Sequence, residues 1–137
     1  MKQMPKIEKF MSTTPHTINQ EVTVKNALIM MKEYQVRHLP VEKSGELVGL
    51  VSDRDIKLAS SFSNNGEMTI ADVMTLDPYT VSPHASVDEV VLNMAEHKYG
   101  CAVVKQENGK IVGIFTANDG LRVLGEVLKG NFKPIQH

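Results

Sequence analysis

Little in this sequence points to a covalent framework, a membrane or a nucleic acid. Cysteine occurs once, at Cys101, which excludes an internal disulfide and any cysteine-rich zinc site and favours a reducing compartment. No apolar run approaches the roughly 20 residues needed to cross a bilayer, and the opening Met1-Lys2-Gln3-Met4-Pro5-Lys6 lacks the apolar centre of a signal peptide. Charge of neither sign dominates: 15 basic and 16 acidic residues are interleaved, with no basic run to track a phosphate backbone. A cytoplasmic protein without nucleic-acid or membrane partners is expected. What the chain does have is apolar content, 42% of 137 residues, enough for one compact unit with a real core.

The chain is also internally repeated. An offset of 63 positions pairs Ile7 with Ile70, Met11 with Met74, Pro15 with Pro78, Thr17 with Thr80, Val24 with Val87, Met31 with Met94 and Val41 with Val104. One extra residue then enters the second copy within Lys105–Gly109. Beyond it an offset of 64 pairs Gly45 with Gly109, Gly49 with Gly113 and Asp55 with Asp119. A glycine-containing hairpin turn is where one added residue is tolerated. The repeats are assigned to residues 7–60 and 70–129, with a linker at 61–69 and a C-terminal tail at 130–137.

Each copy has the same pattern. A short helical turn (Ile7–Met11, Ile70–Met74) ends before Pro15 or Pro78, and a brief extended stretch follows at Thr17-Ile18 or Thr80-Val81. Core spacing then predicts a helix, with Val24, Ala27, Leu28 and Met31 in one copy and Val87, Val90, Val91 and Met94 in the other. A hairpin comes next: His38–Glu42 with Leu47–Val51, and Cys101–Lys105 with Lys110–Phe115. A helix from Ser52 or Thr116 closes each unit, the second running through a stripe of Leu121, Leu124 and Leu128. The fold class is α/β (α+β), two β-α-β-β-α units that need each other to bury their faces.

The hairpin-to-helix junctions carry the chemistry. Gly49-Leu50-Val51-Ser52-Asp53-Arg54-Asp55 and Gly113-Ile114-Phe115-Thr116-Ala117-Asn118-Asp119 each lead from a buried strand into a helix N-terminus. Such ends present unpaired N–H groups and partial positive charge, which suit phosphate. A hydroxyl three residues ahead of an acid is equally the pattern of a capping box. One residue can serve both roles.

The helices bear on assembly. Ala27-Leu28-Ile29-Met30-Met31 is wider than one core-facing stripe, and Val123 and Val127 flank the leucines of the last helix. Deep burial explains this width; so does a second apolar face meeting another subunit, and the sequence favours a homodimer.

With these residues in view, the chain resembles a tandem pair of cystathionine-β-synthase (CBS) domains. The marks are Met11…Pro15-His16-Thr17-Ile18, Val36-Arg37-His38-Leu39-Pro40-Val41, and Gly45-Glu46-Leu47-Val48-Gly49-Leu50-Val51-Ser52-Asp53-Arg54-Asp55-Ile56. The second copy keeps Gly113–Asp119 but has Gly100-Cys101-Ala102-Val103-Val104 where the first has Arg37–Val41. The first copy is similar to the CBS pairs of acetoin-utilisation-type proteins, without the further C-terminal domain some of those carry. The resemblance implies a pseudo-symmetric pair of repeats in a disc-like homodimer. It implies a stand-alone regulatory module, not an enzyme, that needs no cofactor and binds adenosine-containing ligands (AMP, ADP or ATP, sometimes S-adenosylmethionine) in clefts between the repeats. It also implies an unidentified regulated protein as partner.

Carried over residue by residue, the first site takes Asp55 for the ribose diol, Ser52 for phosphate, Leu50 against the base, Thr80 and Val81 at the adenine edge, and Arg37 and His38 beside the phosphates. The second takes Asp119, Thr116 and Ile114 with Thr17 and Ile18, and has Cys101 in place of a basic residue, so it is expected to hold phosphate more weakly. The rival reading is a dimerising interaction module that binds no nucleotide. No metal site is expected, because the histidines lack ligand spacing. No activated nucleophile or acid–base pair supports catalysis.

Overall fold

The computed structural model describes residues 3–13, 16–62 and 68–131. In chain order these form a single 3-10 turn (Ile7–Lys9), β1 (Ser12–Thr13), β2 (Ile18–Asn19), α1 (Val24–Tyr34), β3 (His38–Lys43), β4 (Glu46–Ser52), α2 (Asp53–Phe62), α3 (Ile70–Val73), β5 (Thr75–Leu76), β6 (Thr80–Val81), α4 (Val87–His97), β7 (Cys101–Lys105), β8 (Ile111–Thr116) and α5 (Ala117–Asn131). Both repeats thus run β-α-β-β-α, the mixed α/β order expected. The expected helix stop at Pro15, most of the linker (residues 63–67) and the tail at 132–137 lie outside the described residues.

The compact units cut across the sequence repeats. One is contiguous, Thr14–Pro78; the other is split, Met1–Thr13 with Tyr79–His137. Each repeat therefore gives up its opening segment: Ile7–Thr13 joins the second repeat, and Ile70–Leu76 stays with the first.

In the contiguous unit the sheet order is β2-β3-β4-β5, with β2 parallel to β3 and the other pairs antiparallel. Thr23 caps α1 by accepting from Asn26 N at 3.2 Å, and Gln35 ends it in a left-handed conformation with its N–H on the carbonyls of Met31 and Lys32. The helix buries Val24, Ala27 and Met31, spaced to fall on one face. They pack with Ile18, Leu39, Val41, Val51, Ile56 and Ile70. Ser44 and Gly45 both have positive φ at the β3–β4 turn, the conformation that suits the twist of a two-residue hairpin loop.

In the split unit the order is β1-β8-β7-β6, with β6 parallel to β7. The N-terminal segment is bound along its length. Ile7 N donates to Ala85 O, Glu8 N to Pro83 O, and Val87 N returns to Pro5 O. Ile7 is fully buried among Val87, Val90, Met94, Ala102, Val104 and Phe115.

Two features bear on the two readings of helix width. The leucine stripe of α5 is not core: Leu121 is 65% and Leu124 52% exposed, and Leu128 is exposed as well, while Val123 turns inward against the core. The width of the apolar run in α1 resolves similarly, with Ala27 and Met31 buried and Ile29 exposed.

The short strands β1 and β5 explain two sequence marks at once. Thr13 pairs with Gly113 and Leu76 with Gly49. A Cβ on Gly113 would stand 2.5 Å from Met11 Sδ and 2.7 Å from Ser12 O; on Gly49 it would stand 2.7 Å from Met74 Sδ and 2.9 Å from Thr75 O. The repeated Met and the repeated Gly are thus two sides of one crossing, where a segment lies directly on bare strand backbone. Gly113→Ala is expected to cost about 1–3 kcal/mol, because the obstructing carbonyl cannot rotate away. Gly125→Ala, in α5 with nothing within 4 Å, is expected to stabilise by up to about 1 kcal/mol through helix propensity. Urea unfolding of the two variants checks the opposite signs.

Candidate functional site: two strand-to-helix junctions

In each repeat the last strand runs without a loop into the closing helix, and a hydroxyl–acid pair locks the junction. Ser52 N donates to Asp55 Oδ2 at 3.2 Å, and Asp55 N donates to Ser52 Oγ at 3.1 Å. At the other junction Thr116 N donates to Asp119 Oδ2 at 2.9 Å and Asp119 N to Thr116 Oγ1 at 3.3 Å. These are reciprocal caps, and each satisfies two orphan donors. The first helical amide is engaged too: Asp53 N donates to Arg37 O at 2.9 Å, and Ala117 N to Gly100 O at 3.0 Å. Two of the first three amides of each helix are therefore already bonded, so a phosphate at this end meets fewer free donors than the bare sequence suggests.

The contiguous unit brings together five residues of the first candidate site. Arg37 is exposed just ahead of β3, His38 and Ser52 are Cα partners across β3 and β4, Leu50 is half-buried on β4, and Asp55 is half-buried in the first turn of α2. Thr80 (exposed) and Val81 (half-buried) belong to the split unit, on β6. Of the second site, the split unit holds Cys101, Ile114, Thr116 and Asp119, with Cys101 the Cα partner of Thr116. Thr17 and Ile18 belong to the contiguous unit, where Ile18 is part of the core.

The two junctions differ electrostatically. Burial pushes the His38 imidazole below its ordinary value of 6.5, with Asp53 and Asp55 opposing that shift and Arg37 adding to it. At the equivalent strand position in the split unit, burial, reinforced by Asp119, raises the Cys101 thiol to about 12. That thiol is buried and inert.

Sequence reasoning missed Arg122. Its Nη1 lies 3.1 Å from Asp119 Oδ1, one turn along α5, a spacing at which helix side chains meet. The signal was present in that spacing. At the matching position of the first copy stands Leu58, which is exposed. Among the described residues no cluster of three or more His, Cys, Asp or Glu side chains is placed to hold a metal ion, and no helix is long and apolar enough to cross a membrane.

A family model for the CBS domain matches residues 7–61 and again 70–126. The chain belongs to the CBS domain family. Among solved structures, a chain named for acetoin utilization (AcuB) from Vibrio cholerae superposes with a TM-score of 0.85 at 31% identity, over 96% of this chain and 100% of that one. The CBS domain pair of MJ0100, solved with 5′-methylthioadenosine and S-adenosyl-L-methionine, gives 0.82 at 25% identity over 90% and 98%. CBSX2 in complex with AMP gives 0.74 at 26% identity over 89% and 97%. Among curated relatives, inosine-5′-monophosphate dehydrogenase from Korarchaeum cryptofilum (strain OPF8) is 34% identical over 86% of this chain. The chain spans only 24% of that enzyme's length, so what it matches is a part of the enzyme and not the whole.

The His38 environment of this CBS chain has a stability consequence. A histidine whose folded value lies below its unfolded one binds more protons when unfolded, so its contribution is intact above about pH 6.5 and declines as pH falls below it. Wild type is expected to lose more stability than His38→Gln between about pH 7.5 and 5.5; urea titrations at both pH values check the difference.

Proposed function

We propose that this chain is a regulatory ligand-sensing module for adenosine-containing nucleotides of the AMP, ADP and ATP class, with S-adenosylmethionine as the less favoured ligand. The observation that carries the reading is the repeated junction: a carboxylate and a hydroxyl fixed at a strand-to-helix turn, once per unit, in a chain of the CBS family. Asp55 suits a ribose diol, since among the described residues only Ser52 N donates to it. The reading assigns Arg37 and His38 to the phosphates, and Thr80 and Val81 to the adenine edge. The second site takes Asp119, Thr116, Ile114 and Cys101 with Thr17 and Ile18, and holds phosphate less tightly for want of the Arg–His pair. The AMP-bound and S-adenosylmethionine-bound structures that this chain resembles support an adenosine ligand. The module acts in the cytoplasm on a regulated protein partner, without catalysis of its own.

Assembly as a homodimer is part of the reading, supported by the exposed leucines and Val127 of α5. The same face favours the second reading, an interaction module that dimerises but binds no nucleotide. A thermal-shift panel with AMP, ADP, ATP and S-adenosylmethionine separates the two. A ligand at 100 times its dissociation constant adds about 2.7 kcal/mol of stability, visible as a rise of several degrees. In titration calorimetry Asp55→Ala is expected to weaken binding by about 1.5–3 kcal/mol, the worth of hydrogen bonds to a charged group. No shift with any of the four ligands at millimolar concentration overturns the nucleotide reading in favour of the interaction module.

A further inference from the structure

Counting acceptor positions separates the two junctions more sharply than the loss of the Arg–His pair does. A carboxylate offers about four lone-pair positions. Asp119 has three of them filled: Oδ2 accepts from Thr116 N at 2.9 Å and Thr116 Oγ1 at 3.1 Å, and Oδ1 accepts from Arg122 Nη1 at 3.1 Å. It is also buried, at 7% exposure. One position is left, and a ribose diol asks for two. Asp55, by contrast, receives one bond among the described residues, from Ser52 N, and the residue matching Arg122 is the apolar Leu58. The hydroxyls differ in the same direction, because Thr116 spends its proton on Asp119, whereas among the described residues Ser52 Oγ only accepts.

We infer that Arg122 is a specificity-determining residue, one that restricts the Asp119 site to ligands carrying an anionic group near the diol. This rests on the nucleotide reading above and deepens it. To seat a diol on Asp119, the guanidinium must leave Oδ1. A neutral nucleoside gives it nothing in exchange, so the lost ion pair counts fully against binding. A phosphorylated ligand offers the released guanidinium a new charge-assisted partner. The exchange is feasible because the Arg122 side chain is 67% exposed and can swing into solvent, while the buried Asp119 keeps its two bonds from Thr116 and gains those of the diol. The Asp55 site, with no such clasp, accepts the diol of either ligand. The sites then differ in what they select as well as in how tightly they bind.

The test is titration calorimetry with adenosine and AMP, in an Asp55→Ala background that silences the first site. Arg122→Leu, which copies the residue at the matching position, is expected to tighten adenosine roughly two- to fivefold, the range of a partly exposed ion pair. It is expected to weaken AMP by a similar factor or more, so that the preference for AMP falls by about tenfold. Arg122→Lys keeps the charge and is expected to hold that preference within about threefold. Equal changes for both ligands, or none, in Arg122→Leu overturn the role of Arg122 while leaving the nucleotide reading standing. Absence of binding by the wild-type chain overturns both.

Discussion

The reciprocal bond between a hydroxyl residue and the acid three positions later is the constraint on which the rest depends. It lets a buried strand turn into a helix with no intervening loop, because the two amides most exposed by that turn are satisfied locally. A second tie from the first helical amide to Arg37 O or Gly100 O fixes the start of the helix to the start of the neighbouring strand. Side chains on the hairpin and on the first helical turn are thereby held in a set geometry. That is the property a binding site requires of its scaffold.

A second constraint acts on the same strands. Bare backbone at Gly49 and Gly113 admits a methionine-bearing segment, Met74-Thr75 or Met11-Ser12, at a distance that a methyl group would block. The segment in each case comes from the opposite repeat in sequence. The two compact units are therefore covalently interleaved: the first repeat's opening residues complete the second unit's sheet, and the reverse. Neither repeat, cut at its sequence boundaries, keeps the edge strand that finishes its own sheet.

Much of this was legible in the residues. The α1 boundaries, both hairpins and both closing helices follow from apolar spacing and turn chemistry, signals that are local and strongly periodic. The hydroxyl–acid pairs were visible as caps. The exchange of opening segments was not visible, because β1 and β5 are two-residue strands whose partners lie far away in sequence, and no local pattern records a long-range pairing. The leucine stripe of α5 left two readings open for a related reason. Helical periodicity shows that a face is apolar but not what covers it, and here Val123, not Leu121 or Leu124, meets the core. Arg122 lay within reach of spacing arguments, three residues beyond Asp119 on the same helix face.

The two junctions share a backbone plan and differ in charge. One sets His38 near Asp53, Asp55 and Arg37, with Asp55 accepting a single bond among the described residues; the other sets an inert thiol beside a carboxylate held by an arginine. Shared geometry with divergent electrostatics is what the proposed reading takes to give two sites of unequal selectivity. The most direct measurement of the central claim is a two-dimensional amide NMR titration with AMP. The account predicts that the amides of Ser52 to Asp55 shift first and those of Thr116 to Asp119 at higher ligand concentration. Shifts confined to residues away from both junctions, with these eight amides unmoved at saturation, would contradict it.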